Sequence, residues 1–454
     1  MNPSKKNTSL SRRDFLKSSA FAGIGTALSP RIVKGDQPEL TPSTQKSPSP
    51  LNIAVIGTGT QGRVLIESCL RIPEIHFKAI CDIWGYSQRY ASRYLQKYGY
   101  NVNVYEDFRQ LLDKEKELHA VIIATPDWMH AEQANACMER GLHVYCEKEM
   151  SNSLEQARSM VRTAKKTKKL LQIGHQRRSN PRYIHAIELL IHEKNLLGQV
   201  GQSYAQWNRA KSEMLGWPEK YTIPPEKLEK YGYGSMIEFR NWRWFKKYGG
   251  GPMVDLGSHQ IDLFPWVFGC LPSSVTSCGG NDYYDKREWY DNVMAIYEFK
   301  TPQGTCRAMY QVQTTTKYGG FFEAFMGDNG TIVMSEVPQN GNWAMREAHA
   351  PEWDSLVKDG FLESETPPVQ KLDTQNIFLD VRVTQEAGRW PLPVELAKPP
   401  HQPHLENFFS AIRDGTPLNC PGEIGFETAV AVLTANKAVE STRKINFDKG
   451  QFKA

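Results

Sequence analysis

Beyond residue 28 the chain has no run of 18 or more apolar residues. A membrane-spanning helix needs about 20, so no span is expected and the main body should be soluble. Cysteine is sparse: Cys69, Cys81, Cys137, Cys146, Cys270, Cys278, Cys306 and Cys420 form no Cys-x-x-Cys pair and no dense cluster. That spacing argues against a disulfide scaffold and against cysteine-bound metal, and favours buried thiols. Basic runs are also missing from the body, since Lys165-Lys166-x-Lys168-Lys169 reads as the solvated end of a helix. The net charge of +5 is misleading: residues 1–35 alone carry +6, so the remainder stands at −1. Nucleic acid and acidic membrane surfaces are therefore not expected partners. At 454 residues and 40% hydrophobic, the chain can fill two ordinary cores.

The most informative stretch present is Leu51-Asn-Ile-Ala-Val-Ile-Gly57-Thr-Gly59-Thr-Gln-Gly62. An apolar strand runs into Gly-x-Gly-x-x-Gly, and Asp82 follows 20 residues after Gly62 at the end of a second apolar run. Gly57 permits the turn, Gly59 lets a pyrophosphate approach the backbone, and Gly62 lets the next helix pack on the strand. The N–H groups that open this helix face the phosphates. Asp82 would hold the ribose hydroxyls and repel a 2′-phosphate, which favours NAD over NADP. Thr58 and Gln61, inside the loop, are assigned to the same cofactor.

The amino terminus, Ser11-Arg12-Arg13-Asp14-Phe15-Leu16-Lys17 followed by the short apolar segment Ala20 to Leu28, resembles a twin-arginine export signal. That predicts a signal over 1–35, a Pro/Ser-rich linker over 36–50, and passage of a folded, cofactor-loaded protein to the periplasm by the twin-arginine machinery. No cysteine near the expected cleavage region suggests a lipid anchor.

From 51 to 175 apolar strands alternate with helical stretches, the signature of a doubly wound parallel sheet. A helix is expected from about His130 to Arg140 and another from Ser153 to Lys168. Beyond 176 the strands lengthen and alternate, as in an antiparallel sheet with one covered face. Residues 210–250 and 336–400, rich in Trp, Tyr and Pro, read as loops that shape or cover a site. The expected fold is thus α/β: a Rossmann domain over 51–175, then an α+β domain over 176–454 for substrate and oligomer contacts.

Two further constellations bear on chemistry. Glu147-Lys148 stands at the carboxyl end of a parallel strand, where open α/β folds bind ligands; a lysine there can hold a substrate hydroxyl as hydride leaves the same carbon. In Gly249-Gly-Gly251-Pro-Met-Val-Asp255-Leu-Gly-Ser-His259-Gln-Ile-Asp262, helical spacing sets Asp255 and His259 one turn apart. Asp255 would fix the tautomer of His259 and raise its basicity. The same pair could be half of a metal site, but no second cluster completes one, so no metal is expected. Trp207-Asn208-Arg209 and Arg240-Asn-Trp-Arg243-Trp244 have the aromatic and guanidinium content of a sugar site; such residues also anchor long loops to a core.

With Thr125-Pro126-x-x-x-His130 and the helix that begins at His404-Leu-Glu-Asn-Phe-Phe, these motifs resemble the family of glucose-fructose oxidoreductase, inositol 2-dehydrogenase and the rhizopine-catabolism oxidoreductases (Gfo/Idh/MocA). The resemblance implies a Rossmann domain followed by a large open, mainly antiparallel sheet, and dimers or tetramers built on it. It implies Lys148, Asp255 and His259 as the catalytic set and Thr125, His130, Glu147 and Gln176 along the nicotinamide half of the cofactor; Asp127 and Lys148 are assigned to the cofactor as well, and Arg178, Trp207 and Arg243 to the substrate. The family's Glu-Lys-Pro is here Glu147-Lys148-Glu149. A carboxylate beside Lys148 favours its charged form, which makes Lys148 the donor and His259 the general base.

Export constrains the mechanism, because free NAD is not supplied outside the cytoplasm and the cofactor must stay bound. Three schemes satisfy this: oxidation of a pyranoside hydroxyl, at C3 by preference, with the bound cofactor returned by a second sugar; a redox-neutral glycosidase working by oxidation, elimination, hydration and reduction; or a non-catalytic sugar binder. The small-molecule partner is a sugar or glycoside in each.

Overall fold

The computed structural model describes residues 49–367 and 387–454; the twin-arginine segment and all but the end of the linker lie outside them. Leu51–Ile56 (β1) is buried along nearly its whole length, as a continuous apolar run should be when helices cover both faces of a sheet. It lies between Ile75–Cys81 (β2) and Ala120–Ile123 (β4), parallel to both. Asn103–Tyr105 (β3), His143–Cys146 (β5) and Leu171–Ile173 (β6) complete a parallel sheet of order β3-β2-β1-β4-β5-β6. The connections reverse direction between β1 and β4, and the crevice beyond their carboxyl ends is where this fold places a ligand.

The helix expected from His130 begins earlier, at Asp127, with Pro126 as its N-cap, because proline closes the extended segment and leaves the next residue free to start a turn. The helix Leu154–Thr167 ends on Lys168 in the left-handed region. Beyond β6 the chain turns at once into a 3-10 segment, Gln176–Ser179, so Gln176 and Arg178 stand on a tight turn, not on a strand end.

The second sheet has nine strands: Val200–Asn208 (β7), Pro272–Gly280 (β8), Asn292–Thr301 (β9), Gly304–Gln313 (β10), Phe321–Gly327 (β11), Gly330–Met334 (β12), Trp343–Arg346 (β13), Trp390–Pro391 (β14) and Ile445–Asn446 (β15). Its order is β14-β13-β12-β11-β7-β10-β9-β8-β15. Pairing is antiparallel except between β7 and β10. In β9, Val293, Ala295, Tyr297 and Phe299 point inward while Met294 and Ile296 are exposed, the period-2 pattern of a sheet with one covered face.

The helix Gly422–Ser441 joins the layers. It is apolar nearly all round, as a helix buried on every side must be; Phe426 and Ala429 enter the Rossmann core while Ala431 and Val432 enter the core of the second sheet. The helix Gln402–Asp414 also crosses back, burying Leu405, Phe408 and Phe409 with β1 residues. The expected boundary at 175/176 therefore separates the two sheets but not their cores. No described helix is long and apolar enough to cross a membrane. Six of the eight cysteines are buried and none is disulfide-bonded.

Candidate active site

The crevice at β1 and β4 opens into a cavity of about 680 Å³. Gly57, Gly59, Gln61, Asp82, Thr125, Asp127, Glu147, Lys148, Gln176, Trp207, Arg243, Asp255 and His259 all line it. The three glycines serve different ends. Gly57 has φ +86°, and a Cβ there would come within 2.6 Å of the Ala124 carbonyl. A Cβ on Gly62 would meet the Gly57 oxygen at 2.0 Å, whereas one on Gly59 meets no atom within 4 Å and would stand in the open space over the loop. Gly59 is also the N-cap of the helix Thr60–Cys69 and gives it no side-chain cap, so its first N–H groups remain available to an anion. The loop thus fits a dinucleotide pyrophosphate. Asp82 accepts from the N–H and hydroxyl of Thr58 at 2.8 and 3.2 Å and from the N–H of Trp84 at 2.9 Å, which holds its carboxyl at the cavity wall. Thr58 itself is wholly buried and acts through Asp82.

At the other end Lys148 donates to the Asp255 carbonyl oxygen and, at 3.1 Å, to its Oδ1. Arg243 Nε lies 3.1 Å from the same Oδ1 and its guanidinium packs over Trp242 at 4.2 Å. Burial works to raise the Asp255 carboxyl, but Lys148 and Arg243 outweigh it and hold the group well below the usual carboxylate range. Asp255 does not reach His259. The expected continuous helix is broken into Gly251–Asp255, Gly257–Ile261 and Leu263–Phe268, so the i, i+4 relation lapses and Asp255 is spent on cations. His259 lies against Trp207, ring centroids 5.4 Å apart, and Trp207 stacks on Phe321 at 4.3 Å. Burial, then Lys148 and Arg177, lower the His259 pKa well below its ordinary value; the ring is neutral and its basicity is reduced, not raised.

Glu149 is not the partner of Lys148 either. Its carboxyl is wholly buried, accepts from the Met150 N–H at 2.7 Å, and is pushed up to about 8 by burial, so it is neutral at pH 7. Asp127 is pushed up to about 7, by burial first and by Asp255 second, against Arg243 and Lys148.

The segment 209–248 covers the cavity and crosses to the Rossmann domain. Trp84 Nε1 donates to the Tyr221 carbonyl at 2.7 Å, the Tyr231 hydroxyl donates to Glu106 at 3.0 Å, and Lys227 pairs with Glu106. Trp84, Ile223, Leu228, Tyr233, Met236 and Tyr248 form a small core beneath it. By contrast, 336–367 and 387–400 contribute nothing to the cavity wall.

Besides Thr58 and Gly62, two further assigned residues do not line the cavity. Arg178 grips Asp262, Nε to the two carboxylate oxygens at 3.0 and 2.8 Å, and so braces the interior instead of facing a substrate. His130 is fully buried between the carbonyls of Glu149 and Thr125, at 2.7 and 2.8 Å, and ties two loops together. Among described residues no group of three or more His, Cys, Asp or Glu could hold a metal ion. His401, Thr314 and Arg209 also line the cavity. Arg209 belongs to the Trp207-Asn208-Arg209 motif, whereas only its place just ahead of the His404-Leu-Glu-Asn-Phe-Phe stretch marks His401 in the sequence.

Residues 51–175 match the family described as "Oxidoreductase family, NAD-binding Rossmann fold" (GFO_IDH_MocA), and 229–333 match its C-terminal domain. The chain is similar to a D-glucoside 3-dehydrogenase of Escherichia coli K12, 30% identical over 49% of this chain and 55% of that protein. It is similar to a glycosyl hydrolase family 109 protein of Solibacter usitatus, 27% identical over 35% of this chain and 37% of that one. The chain spans a little over half the length of the first curated relatives it matches. The solved structure of a levoglucosan dehydrogenase in complex with NADH superposes with a TM-score of 0.64 at 16% identity, over 88% of this chain and all of that one, and shows the same fold.

Proposed function

Because the chain belongs to the GFO/IDH/MocA oxidoreductase family, we propose that it oxidises a ring hydroxyl of a sugar or glycoside, at C3 by preference, with a tightly held NAD. One observation carries this reading: a single cavity has the glycine loop and Asp82 at one end and Lys148, Asp255 and Arg243 beside His259 at the other. NAD bound there supplies the hydride acceptor. Lys148, held by its ion pair with Asp255, donates to the substrate oxygen and stabilises charge as the carbonyl forms. His259, neutral because of burial, takes the hydroxyl proton as hydride leaves the carbon. Trp207 offers a flat face to a pyranose ring. The C3 preference is supported by the relative that acts as a D-glucoside 3-dehydrogenase.

Retention of the cofactor and export to the periplasm belong to the same proposal. They are supported by the cover 209–248 and by Ser11-Arg12-Arg13-Asp14-Phe15-Leu16-Lys17. The cycle closes when a second, carbonyl-bearing sugar takes back the hydride and a proton. A homo-oligomer is proposed as well, on the support of Met294, Ile296 and Met309 exposed on the outer sheet face.

A redox-neutral glycosidase is the second reading, supported by the glycosyl hydrolase family 109 relative. The first experiment is to purify the protein without added cofactor, denature it and identify released dinucleotide. Near-stoichiometric NAD or NADH supports a captive cofactor; a protein that is empty and binds no NAD on titration overturns the enzyme reading in favour of a sugar binder. Aryl glycosides then separate the two chemistries. A 3-keto glycoside that accumulates only with a keto-sugar acceptor supports the oxidoreductase, and aglycone release without acceptor supports the glycosidase.

A further inference from the structure

His401 reaches the cavity as the N-cap of the helix Gln402–Asp414 and stands beside Gln61 of the glycine motif, which also bonds Glu147 just after β5. Gln61 Nε2 donates to Glu147 Oε1 at 3.1 Å and lies 2.9 Å from His401 Nε2. The opposite amide orientation would set the Gln61 oxygen against the Glu147 carboxyl oxygen, so the nitrogen is the group that faces both partners. A carboxamide nitrogen only donates, so His401 Nε2 accepts and the ring proton sits on Nδ1. That Nδ1 is buried and has no hydrogen-bond partner among the described residues. A buried N–H without an acceptor is costly, and His401 lines the same cavity as Glu147, Lys148 and His259.

We propose that His401 is a cofactor-orienting residue: its Nδ1–H supplies a hydrogen bond to the nicotinamide group of the bound dinucleotide, with Gln61 and Glu147 fixing the tautomer that makes Nδ1 the donor. The inference rests on the reading that a dinucleotide occupies this cavity with its reactive end toward Lys148. It also gives a purpose to the chain's return across the Rossmann domain. The helix Gln402–Asp414 is anchored by Leu405, Phe408 and Phe409 in the Rossmann core, so the residue before it is held by packing rather than by a loop.

The test is equilibrium binding of NADH and, separately, of ADP-ribose, which lacks the nicotinamide. In His401→Phe the NADH affinity should fall about tenfold, as for loss of one hydrogen bond, while ADP-ribose affinity stays within about twofold. His401→Asn, whose amide nitrogen stands near the position of Nδ1, should bind NADH nearly as wild type does. His401→Gln, which restores only the ε contact, should resemble His401→Phe, and this pair of variants decides the matter even if His401→Phe fails to fold. Equal loss of NADH and ADP-ribose affinity, or unchanged NADH affinity in all three variants, overturns the inference alone. Wild-type protein that binds neither ligand overturns it together with the dinucleotide reading.

Discussion

Lys148 and Asp255 lie 107 positions apart in the chain and meet at 3.1 Å between Nζ and Oδ1. The lysine follows β5 of the parallel sheet and the aspartate ends a short helix packed on the second sheet, so the pair exists only when the two layers are docked. With Arg243 on the same oxygen, one carboxylate serves two cations; burial first, then Lys148 and Arg177, lower the His259 pKa.

Replacement of these groups separates donor from base. Lys148→Ala and His259→Ala should each lower kcat by roughly 10²–10⁴-fold, and Asp255→Asn should lower it while NADH still binds. If Lys148→Ala abolished far more turnover than His259→Ala with both folds intact, the role of base would pass to Lys148.

Selection between the two dinucleotides should rest on Asp82. Removing its carboxylate in Asp82→Ala takes away both the ribose acceptor and the repulsion toward a 2′-phosphate. Titration should show NAD affinity down about tenfold and the preference over NADP narrowed. An unaltered ratio of the two affinities would mean that selection lies elsewhere.

Stability should depend on pH through Glu149. Burial lifts its carboxyl from an ordinary 4.5 to about 8 in the folded chain. The native state therefore binds a proton that the unfolded state has released: the contribution is full below about 4.5 and is lost as pH rises through about 8. Glu149→Gln keeps the acceptor for the Met150 N–H and removes the titration. Denaturant unfolding should show the variant gaining on wild type between about pH 5 and 8.5 by a few kcal/mol; a difference independent of pH would contradict this.

The cover over the cavity can be loosened from outside. Glu106 holds Lys227 and Tyr231, and Glu106→Ala should release NADH about tenfold faster without a change in the ligands of the nicotinamide half. Displacement followed by NADH fluorescence measures this, and an unchanged rate would show that the cover does not limit release.

Much of the fold was readable from local pattern. The apolar run of β1, the glycine spacing and the alternation in β9 each reflect contacts a few residues or one strand away, and side-chain period alone sorts them. Gly57, Gly59 and Gly62 could be assigned separate duties because each duty is a matter of backbone conformation or close approach. The partner choices were not readable in the same way. Helical spacing pairs Asp255 with His259, but the helix breaks at Leu256 and Lys148 arrives from the other sheet. Arg178 looked like a substrate ligand until Asp262 came within 2.8 Å.

The chain by itself determined that a dinucleotide cradle forms after β1, that Asp82 stands beside it, and that a parallel sheet precedes a larger, mainly antiparallel one. These features arise from short-range sterics and the periodicity of apolar burial. Only the tertiary structure decided which charges are paired, which carboxyls are neutral, and that His401 reaches the cavity from the far end of the sequence. Electrostatic partnership and desolvation depend on every element packed around a group, and sequence distance carries no measure of that packing.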